Sequence, residues 1–551
     1  MRVVFWLAAA LLCLWVMAAN VSPDFTPIRS ELANAHGFSR GLLNFVVLSA
    51  DQPFTRAPAW AMAFVALLMP YVVSGFSRTR VPTASLFLVG FALVFLTAVA
   101  LSPYVTRYSV VLAPRTFALC LLLVCTGRVF AAASWLRERW TPLLSGALGA
   151  AFFGSAMLQA LGTYGGNYTG FLHVSRDVAD RAPFLQERPD LRGSLIVYDA
   201  GYDGQFMYLM AFDPLLRRFA DRPQMYRAVV DNPPYRYGRI GFSLITDIVS
   251  AGQPARFPVT MVWLIVASHF ALAALLAMIA VRHGMSPFAG LWYLAIPSFT
   301  SSLMSALPEV LAAAGIVAGV LCWEARRPVL AAVAFGAALL VRETGVVLIV
   351  ALVLADGRRH WSSEGDSRTT GSGWKRSALV LLGSLLPICA WRLFVASRLF
   401  TDFGWAAIVA NPGDLGVPFA GLIHLWRAGY DGTQPSPEIA GAIVFPIILT
   451  LAFVVAVALL TIRRGPFEIA AVIYAAIAVS LNYRQIWSHL PSGERGTFEL
   501  FVCLLLVLLE SEKRPVWIRR TLTGFFLVLG AYTFFIAPDA GTSRSALLLI
   551  R

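Results

Sequence analysis

Segments of about twenty apolar residues recur along almost the whole 551-residue chain. That spacing limits the fold more than any motif does, because roughly 20 residues of helix cross a hydrocarbon core of roughly 30 Å. With 58% hydrophobic and only 13% charged residues and a mean hydropathy of +0.70, the chain cannot cover itself with the polar surface of a soluble globular protein. The reading is an all-α polytopic membrane protein, with helices rather than a barrel as the spanning element.

Spanning or near-spanning helices are expected at 3–19, 58–76, 82–102, 108–132, 141–162, 257–281, 286–304, 307–323, 377–397, 440–462, 467–482, 498–511 and 518–537. Two shorter pieces, 328–341 and 343–356, reach only about 21 Å each at about 1.5 Å per residue and are expected to form a tilted or partly embedded hairpin. The first segment suits either a signal peptide or an uncleaved helix, and the helix is the favoured expectation.

Charge orients this series. With a cytoplasmic N-terminus, alternation places Arg78 and Arg80, Arg137 and Arg139, Arg282, Arg326 and Arg327, Arg358 and Arg359, Arg463 and Arg464, and Arg519 and Arg520 all inside. The net charge of +14 is therefore assigned to orientation; its scattered arginines give no basic face for nucleic acid. The six cysteines lie in or beside apolar segments without paired loop spacing, which points to neither a disulfide framework nor a zinc site. Phosphate-loop and HExxH patterns are absent from the sequence.

The same alternation puts residues 163–256, 398–439 and 483–497 outside, while 356–376, rich in Gly, Ser and charge, reads as a flexible inner connector. The first outer segment is too long for a simple connection. It carries "YDGQFMYLMAFDP", in which Asp203 is either a general base or metal ligand, with Gln205 orienting the same substrate, or a helix cap. Asp213 is open to the same capping alternative, and Pro214 is expected to begin a surface helix with Leu215, Leu216 and Phe219 on one side and Arg217, Arg218 and Arg222 exposed. In "DNPPYRYGRI", Arg236 and Arg239 are suited to a phosphate or to an interfacial anchor.

Ionisable groups within apolar segments are further candidates. Glu309 is either a first-turn acid or a substrate contact. Arg342 and Glu343 at the hairpin tip are either a lipid-phosphate contact or an internal pair. Arg392 reads as a snorkelling cation, Arg495 as a phosphate candidate, and His489 as polar loop surface.

Taken with their order, "YDGQFMYLMAFDP", "DNPPYRYGRIGFSLI", the "PEV" helix start and the "RETG" hairpin resemble a bacterial family of membrane glycosyltransferases associated with cell-surface glycopolymer formation, related in design to the GT-C class; the resemblance covers roughly residues 141–540. It implies a GT-C-like bundle of about 13 to 15 transmembrane or half-spanning helices, with an extracytoplasmic loop carrying short interfacial helices. The implied organisation is an N-terminal four-helix membrane region at 1–140, a core at 141–397 with its catalytic loop at 163–256, and a C-terminal membrane region at 398–551. The implied place is the bacterial inner membrane, with the active site extracytoplasmic.

The resemblance further implies transfer of a sugar from a polyprenyl-phosphate donor to a cell-envelope glycan or lipid acceptor. Asp203 takes the base position; Gln205, Tyr208, Asp213, Tyr235, Arg236, Arg239, Glu309, Arg342, Glu343 and Arg495 are the substrate-binding candidates. A divalent cation, Mg or Mn, is the candidate cofactor, although such enzymes often carry Asp-x-Asp where this chain has Asp203, Gly204 and Gln205. A flippase or transporter of lipid-linked saccharides, or a membrane scaffold without catalysis, are the alternatives. The transporter is disfavoured at this point because paired ionisable groups and internal repeats are not evident in the sequence.

Overall fold

The computed structural model describes residues 140–362, 378–409, 415–431, 439–482, 486–487, 490–511 and 515–535. The expected helices at 3–19, 58–76, 82–102 and 108–132 lie outside these residues, as do Arg78, Arg80, Arg137, Arg139, Arg484, His489 and most of the 356–376 connector. The described chain is mostly helical. Its one sheet is a parallel pairing of β1 (Val174–Ser175) with β2 (Val197–Tyr198). Among the described residues, four helices are long and apolar enough to cross a membrane: Thr141–Leu158, Pro254–Arg282, Ala378–Leu399 and Gly441–Ile462.

The described residues form two compact units, each discontinuous in sequence, whereas the division expected from the sequence follows chain order. The first comprises 140–163, 276–297 and 508–535. Its core is aromatic: Phe153 packs edge-on against Phe152 and tilts onto Tyr293, and Trp292 meets Phe526 with ring centroids 6.2 Å apart.

The second unit, 164–275 and 298–507, holds every candidate site residue. Its elements in chain order include α1 (Asp203–Met210), α2 (Pro233–Tyr237), α3 (Gly241–Val249), α4 (Phe257–Arg282, whose last turns pass into the first unit), α5 (Glu309–Glu324), α6 (Pro328–Val341), α7 (Val346–Ser362), α8 (Leu386–Val409), α9 (Ala420–Tyr430), α10 (Ile439–Ile462), α11 (Pro466–Ser480), α12 (Leu490–Gly496) and α13 (Phe498–Leu509). The α5 and α6 backbones approach closely because small residues face one another: a Cβ on Gly315 would lie 2.8 Å from the Ala338 Cβ, and one on Gly319 would meet the Phe335 ring.

Several expectations are corrected. The single helix expected at 286–304 is a 3-10 segment, Pro287–Ala295, followed by a separate helix from Pro297 to Met304. Pro297 lacks the backbone donor and drives Ile296 to extended geometry (φ −81°, ψ 113°), which ends the first piece. The 377–397 helix is interrupted at Ser384 and Leu385, ahead of Pro387, and then continues to Val409, inside the segment read as an outer loop. Helix α9 lies in that same segment.

The surface helix expected from Pro214 does not form. Residues 211–222 are turns, with Leu216 in the left-handed region (φ 52°). Asp213 accounts for this, since its carboxylate accepts the backbone N–H groups of Arg217 and Arg218 and the Tyr226 hydroxyl. Arg217, Arg218 and Arg222 are nevertheless exposed, as expected.

Replacing Gly315 with Leu should force α5 and α6 apart and cost about 1 to 3 kcal/mol. Thermal unfolding of the detergent-purified protein would register this as a lowered midpoint; an unchanged midpoint would contradict the close approach.

Candidate functional site

The site begins at the start of α1. Tyr202 is extended, its N–H donates to the His173 carbonyl at 3.0 Å, and it precedes the helix without a side-chain cap bond. Asp203 is thus the first helical residue, and its carboxylate leaves the helix for two arginines rather than capping it. Gly204 permits this placement: a Cβ there would stand 2.1 Å from the Ser305 carbonyl oxygen and 3.0 Å from that of Leu172. Gln205 is buried, its Oε1 accepting from the Ser175 N–H at 2.9 Å and thereby tying α1 to β1.

Arg236 reaches Asp203 from α2. That helix is capped by Asn232, whose side chain accepts the Tyr235 N–H, and opens on Pro233. Arg236 Nη1 stands 2.9 Å from Asp203 Oδ1, while Nε and Nη2 each donate to Asp231 at 2.8 Å and the guanidinium lies 4.6 Å from the Phe206 ring centroid. Arg495 arrives from α12, almost three hundred residues away in sequence. Its Nη1 donates to Asp203 Oδ2 at 2.9 Å, and its Nε to Glu309 Oε1 at 2.8 Å.

Beyond Glu309 the charges keep alternating. Arg342 Nη1 donates to Glu309 Oε1 at 3.1 Å, Nε to Glu499 Oε1 at 2.9 Å, and Nη2 to the Arg495 carbonyl at 3.0 Å. Ser302 Oγ donates to the second Glu309 oxygen at 2.7 Å, and Thr344 bonds Glu499. The row is therefore Asp231, Arg236, Asp203, Arg495, Glu309, Arg342, Glu499, with four carboxylates alternating with three guanidiniums. Its far end is buried, with Glu309 at 0% exposure, whereas the Asp203 side chain keeps 26% of its surface accessible.

A second group stands apart from this row. Arg239 holds Glu343 in a two-pronged pair at 2.7 and 2.6 Å, and Arg392 of α8 approaches the same carboxylate at 3.9 Å. Arg342 and Glu343 are thus neighbours that pair with different partners. Tyr235 stacks beneath both Arg239 and Arg236.

Other candidates serve packing. Tyr208 is buried edge-on against Phe212 and Phe257, and Asp213 is committed to the turn that follows it. The sequence reading did not single out Glu499, Ser302 or the Tyr202 ring beneath Arg495. A carboxylate two residues into an apolar helix was the available signal for Glu499.

Burial alone would raise the Asp203 carboxyl; Arg236 and Arg495 together outweigh it and hold the group well below its ordinary value. Burial likewise opposes the charge on Arg236, and Asp203 and Asp231 more than restore it. Asp203 is consequently ionised at neutral pH, and because its folded value is depressed, the stability it contributes is present above the ordinary carboxylate range and is lost only as pH falls through the folded value. The donor set does not suit a divalent cation: both Asp203 oxygens face guanidiniums, and neighbouring Asp231 and Glu309 are also held by arginines.

Breaking the row at its buried centre should be far more damaging than at its exposed end. Glu309→Ala leaves two buried arginines facing each other and is expected to cost about 3 to 5 kcal/mol; Asp231→Asn, at an accessible pair, should cost about 1 kcal/mol or less. Comparing thermal midpoints of the two purified variants checks the contrast.

Searches of this chain against protein-family models, curated proteins and solved structures find no match.

Proposed function

We propose that the protein is an integral membrane glycosyltransferase of GT-C type, working in a bacterial inner membrane with its N-terminus cytoplasmic and Asp203 at an extracytoplasmic active site. About 13 to 15 membrane or half-membrane helices belong to this reading. The substrate is a polyprenyl-phosphate-linked sugar, and the acceptor is a cell-envelope glycan or lipid. The observation that carries it is the placement of Asp203: an accessible, ionised carboxylate at a helix start, surrounded by arginines drawn from α2 and α12.

In the reaction, an acceptor hydroxyl oxygen attacks the anomeric carbon as the bond from that carbon to the phosphate oxygen breaks. The bonding electrons leave with the phosphate, and the hydroxyl proton passes to Asp203. A carboxylate of depressed basicity suits this order, because a hydroxyl becomes strongly acidic once its oxygen is bonding to an oxocarbenium-like carbon. Guanidiniums stabilise the departing charge. Asp203 loses its own charge on taking the proton, and Arg236 and Arg495 then remain neutralised by Asp231 and Glu309.

One observation favours the transporter reading. Glu309, Arg342, Glu499 and Arg495 form the kind of buried, paired ionisable cluster expected of transporters, which the sequence had not made visible. Reconstituted vesicles separate the two, since an enzyme forms a glycosylated product on one face whereas a flippase moves the lipid-linked saccharide unchanged.

Asp203→Asn should retain the fold, because each arginine keeps its second carboxylate, while lowering transfer from a polyprenyl-phosphate sugar by about 100-fold or more. Wild-type turnover with equal protein level would refute Asp203 as the base. The acid limb of kcat/KM should also be absent above about pH 5, since the free carboxylate stays ionised there.

A further inference from the structure

The two arginines that grip Asp203 are themselves held by neighbouring residues of one short segment. Arg342 follows α6 in extended geometry (φ −156°, ψ 116°), so the side chains of Arg342 and Glu343 leave the backbone on opposite sides. Arg342 turns to the buried row, where Nη2 donates to the Arg495 carbonyl at 3.0 Å and Nη1 shares Glu309 with that same arginine. Glu343 turns to α2, where its two oxygens accept from Arg239 at 2.7 and 2.6 Å. Arg239 in turn donates its backbone N–H to the Arg236 carbonyl at 3.1 Å and covers the Tyr235 ring.

Support is needed most at α2. A helix of five residues is marginal alone, so its direction depends on what holds its ends. Asn232 caps the start; beyond the other end stands the Arg239–Glu343 pair, and the Trp391 indole of α8 donates to the Tyr237 carbonyl at 2.7 Å. The segment that carries Glu343 is fixed by further contacts. Tyr474 of α11 donates to the Thr344 carbonyl at 2.7 Å, and a Cβ on Gly345 would fall 3.3 Å from Ile316 Cδ1 of α5. Arg236 and Arg495 therefore meet Asp203 from two elements that share one anchored template. Misplacing a reacting group by about 1 Å can cost about 100-fold in rate, which is the margin such a template protects.

We infer that Arg342 and Glu343 are positioning residues, which set Arg495 and Arg236 about Asp203 without touching the reacting atoms. This rests on Asp203 being the base, as proposed above. Glu343 is the informative member of the two, because Arg342 also supports the buried row and its loss leaves Glu309 and Glu499 underpaired. Glu343 is partly accessible and acts on Asp203 through Arg239 and α2.

The test is transfer from undecaprenyl-phosphate hexoses by the full chain in membrane vesicles that supply the acceptor, with kcat and KM measured for the donor. Glu343→Gln should lower kcat about tenfold or more, with KM within about twofold of wild type. Combined with Asp203→Asn it should add no further loss, because a residue that acts through the base then has nothing left to position. Wild-type kcat in Glu343→Gln, a rise in KM alone, or losses that multiply in the double variant overturns the positioning role and leaves Asp203 as the base. Wild-type kcat in Asp203→Asn, or no transfer by the wild type, removes the base reading and this inference with it. If Glu343→Gln loses its thermal transition, Arg239→Lys takes its place, since it keeps the charge and gives up the two-pronged pair. The same fall in kcat and the same lack of further loss with Asp203→Asn are then expected, and their absence overturns the role equally.

Discussion

Glu309 is the point on which the second unit depends. It is completely buried at the start of α5, and its single side chain receives Arg495 from α12, Arg342 from the end of α6, and Ser302. A lone carboxylate in such a place would be strongly disfavoured, and so would either arginine without it. The three groups are stable only together, which fixes distant chain segments to one another. Arg495 then has one nitrogen left to reach Asp203, so the geometry of the accessible carboxylate is inherited from the buried one.

This arrangement connects stability to chemistry. A row of alternating charges runs from the buried interior to an accessible end, and Asp203 lies where burial gives way to exposure. Its arginines keep it ionised and oriented. The neighbouring Arg239, Glu343 and Arg392 group carries a different balance, with more positive than negative charge, and is held close by the Tyr235 ring. One group orients a carboxylate, and the other carries a positive charge in excess of its one carboxylate.

The helices were largely legible because length and apolarity are local properties. Thr141–Thr163, Phe257–Arg282 and Ile439–Ile462 fall within a residue or so of where the apolar runs placed them. What failed was irregular backbone within apolar sequence: the breaks near Pro297 and Ser384, and the turn that Asp213 imposes on residues 214–222. Hydrophobicity does not report such breaks. The charged residues were legible as individuals, while their pairing was not, since Arg495 and Asp203 are joined across nearly the full length of the unit. Arg392 illustrates the limit, because the sequence reads it as a snorkelling cation and only the fold brings it to 3.9 Å from Glu343.

The central claim is that Asp203 faces the reacting sugar. A cryo-electron microscopy structure of the Asp203→Asn protein in nanodiscs with a polyprenyl-phosphate sugar bound would test it most directly. The account predicts the anomeric carbon on the accessible side of residue 203, with room for an acceptor hydroxyl within about 3 Å of that side chain. A sugar bound elsewhere, with residue 203 still enclosed by Arg236 and Arg495 and remote from the anomeric carbon, would contradict it.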